Sequence, residues 1–106
     1  MTNARFQPRA YAVNPKQFGV DPELVWRPTS ARASADEQDQ RGAAKLQHRL
    51  AIDIRKEAAR QHESVRAYCE YHGLSYQRMT RMLRGEIVMR LEDAANARRN
   101  LGVEFR

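Results

Sequence analysis

A chain of 106 residues with 42% hydrophobic residues can bury one modest core, and its single cysteine excludes an intrachain disulfide. No apolar run approaches the roughly 20 residues of a membrane-spanning helix, and residues 1–9 lack the apolar stretch of a secretory signal, so we expect a cytoplasmic protein without a membrane segment. The formal net charge of +6 favours a polyanionic partner.

The first predicted segment, residues 1–28, is an apolar arm that contains all four prolines. Proline removes a hydrogen-bond donor and restricts the residue before it, so no long helix is expected there. The arm also has too many large apolar side chains for a solvated tail: Phe6, Tyr11, Val13, Phe18, Val20, Leu24, Val25 and Trp26. We expect an extended arm that packs either on its own domain or on a partner protein.

The next segment, residues 29–42, is small and polar, which predicts a flexible linker. From there the chain has no proline, and residues 43–106 are predicted as one helical domain. Its first helix is predicted over residues 43–61 because apolar side chains recur there at helical spacing. The predicted buried face of this helix holds Ala43, Leu46, Leu50 and Ile54.

Three shorter helices are predicted after the first, and capping residues mark their ends. Ser64 caps the second helix and Gly73 ends it, whereas Ser75 caps a third helix that stops at Gly85. A fourth helix is closed by Gly102. Its apolar positions are Ile87, Leu91, Ala94, Ala95 and Leu101. Since nothing outside the arm alternates with a period of two, the predicted fold class is all-α.

The positive charge is concentrated on the helical part of the chain. Residues 1–40 hold five basic and five acidic side chains, whereas residues 41–106 hold fourteen basic and eight acidic ones. Sixteen of the 19 basic residues are arginines, whose planar fork can hold a phosphate or a guanine edge with two hydrogen bonds. Charge alone fits an ordinary basic surface equally well, so the case for DNA binding depends on the residues of the third helix.

The third helix, residues 75–84, has one apolar and one polar side. The side predicted to pack inward holds Met79, Met82 and Leu83. The opposite side presents Gln77, Arg81 and Arg84 at helical spacing. Glutamine can pair with adenine and arginine with guanine through two hydrogen bonds each, so this face suits base edges in the major groove. A short helix, a turn with glycine and a second short helix are typical of a helix-turn-helix.

This pattern resembles the phage-repressor family of Cro and lambda-repressor-like helix-turn-helix domains over about residues 50–103. The matching residues are Ser64, Cys69 four before Gly73, Ser75, Met79, Thr80, Met82, Gly85, Leu91-Glu92 and Leu101-Gly102-Val103. The resemblance implies a lambda-repressor-like bundle of four to five helices, double-stranded DNA as the ligand and a homodimer.

The resemblance also implies which side chains touch DNA. The start and middle of the third helix contact bases in that family, and these positions are Tyr76, Gln77 and Arg81 here. Phosphate contacts are implied near the start of the second helix and beyond the third. The flanking or phosphate-contacting residues that we expect are Ser64, Arg66, Ser75, Arg78, Thr80, Arg84 and Arg90.

The fourth helix departs from the family pattern. Arg98 lies within its apolar stripe where alanine is usual, and Ala94, Ala95 and Ala97 replace larger residues. The small side chains leave room for another element to pack against this helix. We expect the arm, with Trp26 as its anchor, or a second subunit to fill this space.

The sequence therefore predicts a repressor-like transcriptional regulator that reads operator DNA on the nucleoid. One alternative is an antitoxin-like module whose arm, residues 1–28, binds a partner protein. Another is an architectural DNA-binding protein serving recombination or plasmid and phage maintenance. His48, His62 and His72 do not share a metal-binding spacing, and we find no catalytic or cofactor motif, so we predict neither an enzyme nor a metal or cofactor. Operator sequence, regulated genes, direction of regulation and oligomeric state stay open.

Overall fold

The computed structural model describes residues 6–104, which hold four α-helices and no strand. The helices are α1 at Ala35–His62, α2 at Val65–His72, α3 at Tyr76–Leu83 and α4 at Leu91–Leu101. The all-α class is therefore confirmed. The first five residues of the predicted arm and the last two of the predicted helical domain lie outside the described residues. Within this range no helix combines the length and the hydropathy that crossing a membrane would require.

The predicted caps of α2 and α3 are confirmed. Ser64 Oγ accepts from the backbone N–H of Ala67 at 3.0 Å, and Ser75 Oγ accepts from that of Arg78 at 3.1 Å. Gly73 ends α2 in the left-handed conformation, with φ of 66°. Each cap satisfies an exposed backbone group at a helix end, so both helices have defined lengths despite having only eight residues.

The fourth helix starts later than predicted. Ile87 precedes it, and α4 begins at Leu91 with Arg90 as its N-cap. The Asp93 carboxylate accepts from the Arg90 backbone N–H at 2.8 Å, which fixes this start. The carboxylate also lies at the positive end of the helix dipole, where a negative charge is stabilising.

The prediction of a flexible linker is wrong for residues 35–42, because α1 begins at Ala35. Ser34 Oγ accepts from the backbone N–H of Glu37 at 3.1 Å, and Asp36 and Glu37 place negative charge in the first helical turn. The small, polar composition of this segment therefore reflects a solvated helix end.

Contacts between Arg41 and the segment before α1 hold the start of the helix. Arg41 is buried, and it donates to Thr29 Oγ1 at 3.0 Å and to the Arg27 carbonyl oxygen. Its guanidinium also lies 5.1 Å from the centre of the Tyr11 ring. The segment before the helix is thus fixed by side chains that lie far apart in sequence.

The arm packs on its own helices, which answers the question that the sequence left open. Two short 3₁₀ turns, Pro8–Tyr11 and Pro15–Gln17, lead to Phe18, which is only 1% exposed. The Phe18 ring meets the Trp26 and His48 rings edge-on, with centroids 6.3 Å and 5.2 Å away. Phe18 is more deeply buried than Trp26, so it is the main anchor of the arm.

The arm also changes which face of α1 is buried. Ala43 is exposed and Leu46 is 41% exposed, so the predicted apolar face is wrong at these two positions. Gln47 and His48 are buried instead, because Gln47 bonds to the Met82 carbonyl oxygen of α3 and His48 bonds to Gly19 of the arm. The main core joins α1 to the later helices through Leu50, Ile54, Tyr68, Cys69, Met82, Leu83 and Leu101.

The space beside the small residues of α4 is not filled by the arm. A groove of about 580 Å³ lies there, bordered by Leu50, Leu91, Ala95 and Val103. Leu91 is 79% exposed, whereas the arm contacts α1 and the turn that follows α3. The expectation that the arm covers α4 is wrong, and the alternative of a second subunit stays a prediction.

His48 joins the arm to α1 through both ring nitrogens. The Gly19 backbone N–H donates to Nδ1 at 2.8 Å, so Nδ1 carries no proton. Nε2 then holds the ring hydrogen and donates to the Asp21 carbonyl oxygen at 2.9 Å. Burial lowers the pKa of His48, because the charged imidazolium would lose hydration.

The folding stability of the protein should depend on pH through His48. A group with a lowered pKa binds fewer protons in the folded chain than in the unfolded one, so acidification below the unfolded value of about 6.5 reduces stability. Between about pH 7.5 and about pH 5, we expect the urea midpoint of the wild type to fall more than that of His48→Asn. Asparagine stays neutral and its oxygen can still accept a hydrogen bond. Equal pH dependence in the two proteins would contradict this role of His48.

Candidate nucleic-acid interface

The exposed face of α3 is the centre of the candidate interface. Helices α2 and α3 are joined by residues 73–75, and α3 buries Met79, Met82 and Leu83. Gln77 and Arg81 point to solvent, as the periodicity predicts, and the Arg81 side chain is 54% exposed. The two predicted faces of α3 are confirmed, while the DNA contacts of the outer face stay a prediction.

Tyr76 lies at the start of this face and contacts α2. The Arg66 guanidinium lies 4.5 Å from the centre of the Tyr76 ring, within the range of a cation–π contact. This contact links the first turn of α2 to the first turn of α3. Tyr76 and Arg66 are both exposed, so together they extend the α3 surface toward α2.

Arg78 lies at the surface, with its side chain 38% exposed, and pairs with α4. Its guanidinium donates to both carboxylate oxygens of Asp93, at 2.7 Å and 2.8 Å. Burial alone would raise the pKa of Asp93, but the hydrogen bonds from Arg78 and Arg90 outweigh that effect and lower it. Arg78 therefore connects α3 to the start of α4, and its predicted phosphate contact stays a prediction.

Three predicted flanking residues have hydroxyl groups that bond to nearby backbone. Ser64 and Ser75 are exposed and act as helix caps. The Thr80 hydroxyl donates to the Tyr76 carbonyl oxygen at 2.8 Å, one turn earlier in α3. Ser64 and Ser75 therefore stabilise the starts of the two short helices, and the DNA contacts expected of all three residues stay predictions.

The end of α3 is rich in arginine around one carboxylate. Glu86 lies 3.8 Å from Arg81 and 3.9 Å from both Arg84 and Arg9, measured between the nearest charged atoms. At these distances the charged groups form ion pairs without hydrogen bonds, so each arginine is only loosely held. Arg90, the other predicted phosphate contact, is exposed at the start of α4 and lies 3.6 Å from Asp93.

Sequence reasoning missed the arginines that reach this surface from other elements. Arg55 belongs to α1 and is half-buried, and burial together with the nearby charge of Arg84 lowers its pKa. Arg9 belongs to the arm, and its own backbone N–H donates to the Gly85 carbonyl oxygen at 3.1 Å. The basic residues of the arm were visible in the sequence, but only the docking of the arm brings Arg9 beside α3.

Comparison of the chain with protein-family models, with curated proteins and with solved structures finds no significant match. Within residues 6–104, no group of three or more metal-binding side chains is close enough to hold an ion.

Proposed function

We propose that this protein is a sequence-specific, repressor-like DNA-binding regulator with a lambda-repressor-like helix-turn-helix, and that α3 enters the major groove. The observation that carries the proposal is the division of α3 into a buried methionine side and an exposed side with Gln77 and Arg81. An α-helix with its side chains is about 10–12 Å across, so it fits a major groove about 12 Å wide, and the eight residues of α3 would extend about 12 Å within it. Gln77 and Arg81 would read bases, and Tyr76 would contact a thymine methyl group or a phosphate.

The distribution of charge supports the same proposal. Arg66, Arg84 and Arg90 are exposed around α3 and would bind phosphates on either side of the groove. The Arg66 side chain is already oriented by the Tyr76 ring, which reduces the freedom that it would lose on binding. A homodimer would place two copies of α3 about 34–36 Å apart, one turn of DNA.

Selection of bound duplexes from a random DNA pool tests this function. We expect an enriched motif with two symmetric halves whose centres are about 10 base pairs apart, together with a dimer mass in solution. Binding without an enriched motif would favour an architectural DNA-binding protein. If the protein retains no duplex at low salt, DNA binding is not its function.

A further inference from the structure

A basic crevice lies between the arm and the end of α3. It has a volume of about 430 Å³, and residues from the arm, from α1 and from the segment after α3 line it. Its charged lining consists of Arg9, Lys16, Arg55, Arg84 and Glu86. Four basic side chains and one carboxylate leave a formal surplus of three positive charges. Pro15, Phe18 and Val20 form the apolar part of the wall.

Arg55 is the inner cation of this crevice. Its Nε is buried and, among residues 6–104, has no hydrogen-bond partner. Burial and the charge of Arg84 both lower the pKa of the Arg55 guanidinium, which still stays protonated at neutral pH. A buried, charged donor without an acceptor costs free energy in the free protein, and the negative charge of an anion in the crevice would offset part of this cost.

Glu86 does not neutralise the crevice. Its carboxylate lies 3.9 Å from the nearest nitrogens of Arg9 and Arg84, too far for hydrogen bonds. The two arginines are therefore drawn together by one negative charge without being saturated by it. An anion with several oxygens could accept the hydrogen bonds that Glu86 does not accept.

We propose that this crevice binds a backbone phosphate of the duplex that α3 reads, so that the arm forms part of the DNA-binding surface. The inference rests on the proposed function, because it needs a duplex seated on α3. Arg84 lies beside Arg81 around Glu86, so the crevice adjoins the α3 surface where α3 ends. A strand that follows the groove past α3 places its phosphates at this edge.

The first test measures duplex affinity of the full chain over a series of salt concentrations. Lys16→Gln and Arg55→Gln should each weaken binding to selected and random duplexes about equally, by about tenfold. Each should also reduce the slope of log affinity against log salt by up to about 0.9, the value for one phosphate. Arg60→Gln removes the same charge from an exposed position of α1 outside the crevice and should leave the slope unchanged.

The second test replaces single phosphates of the selected duplex with neutral methylphosphonates. We expect one position in each half-site at which the replacement weakens the wild type about tenfold and has no further effect on Arg55→Gln. Lys16 is exposed, so its variant reports on the crevice even if Arg55→Gln folds poorly.

The outcomes separate this inference from the proposed function. Unchanged salt slopes in both variants, with wild-type DNA binding intact, overturn the inference alone. Changed slopes without a methylphosphonate position that couples to Arg55 mean that the crevice holds a free anion, which also overturns it. A wild type that binds no duplex overturns the proposed function, and this inference with it.

Discussion

Replacing Gly19 with alanine is expected to destabilise the folded protein by roughly 2–5 kcal/mol. Gly19 has φ of 75°, which L side chains rarely adopt. A Cβ atom at this position would lie 2.2 Å from the Leu83 carbonyl oxygen and 3.2 Å from Ala51 Cβ. Because the first of these atoms is backbone at the end of α3, the arm would have to move away from the helices.

Two other glycines provide matched controls for this substitution. Gly102 has φ of 78° but no atom within 4 Å of an added Cβ. Gly102→Ala should therefore lower the free energy of unfolding by only about 1–2 kcal/mol, the cost of the left-handed backbone conformation for alanine. Gly42 lies inside α1 in open space, and Gly42→Ala should stabilise by about 0.5–1 kcal/mol. Urea unfolding of the three variants measures the series. A Gly19→Ala loss no larger than that of Gly102→Ala would contradict the docking of the arm against Leu83.

The helix ends that the sequence predicts well are those fixed by local contacts. Ser64 and Ser75 each bond to a backbone N–H three residues later, so the capping residue and the group that it satisfies lie in one short stretch. The same local pattern exists at Ser34, with Asp36 and Glu37 behind it. The start of α1 was therefore available to sequence reasoning, which gave too much weight to the small, polar composition of residues 29–42.

The buried face of α1 depends on distant contacts and could not be derived from periodicity. Gln47 looks like a solvent residue in the sequence, yet its amide donates to the Met82 and Ile87 carbonyl oxygens, both at 2.9 Å. Its side-chain oxygen accepts from the Met89 backbone N–H at 2.8 Å. Such partners, 35 to 42 residues away, appear only when the helices are assembled.

In the candidate interface, too, the sequence predicts local features but not contacts between separate elements. The outward direction of Gln77 and Arg81 follows from helical geometry, because both lie on one short helix whose opposite side is apolar. The pairing of Arg78 with Asp93 and the position of Arg55 beside Arg84 involve separate elements. Sequence reasoning therefore identified the exposed face of α3 but not the charges that surround it.

Arg81→Ala is expected to weaken binding to the selected duplex about 5- to 150-fold, with a much smaller loss on random duplex. The reason is that a guanidinium with two hydrogen bonds to a guanine edge contributes about 1–3 kcal/mol of base discrimination. Gln77→Ala should act in the same way at a different base pair, through lost contacts to adenine. Fluorescence anisotropy with selected and random duplexes at one salt concentration measures both effects.

Arg60→Ala is the control for the loss of an arginine, because Arg60 is exposed on α1 and pairs with its neighbour Glu57. It should change neither DNA affinity nor base preference, because Arg60 lies on α1 and not on α3. It should also leave the folding stability nearly unchanged, since surface ion pairs contribute little to it. Arg81 is 54% exposed and only loosely paired with Glu86, so its removal should leave the unfolding midpoint nearly unchanged. An effect on binding is then an effect of the contact itself. If Arg81→Ala weakens selected and random duplexes equally, Arg81 binds a phosphate instead of a base, and the architectural alternative gains over sequence-specific reading by α3.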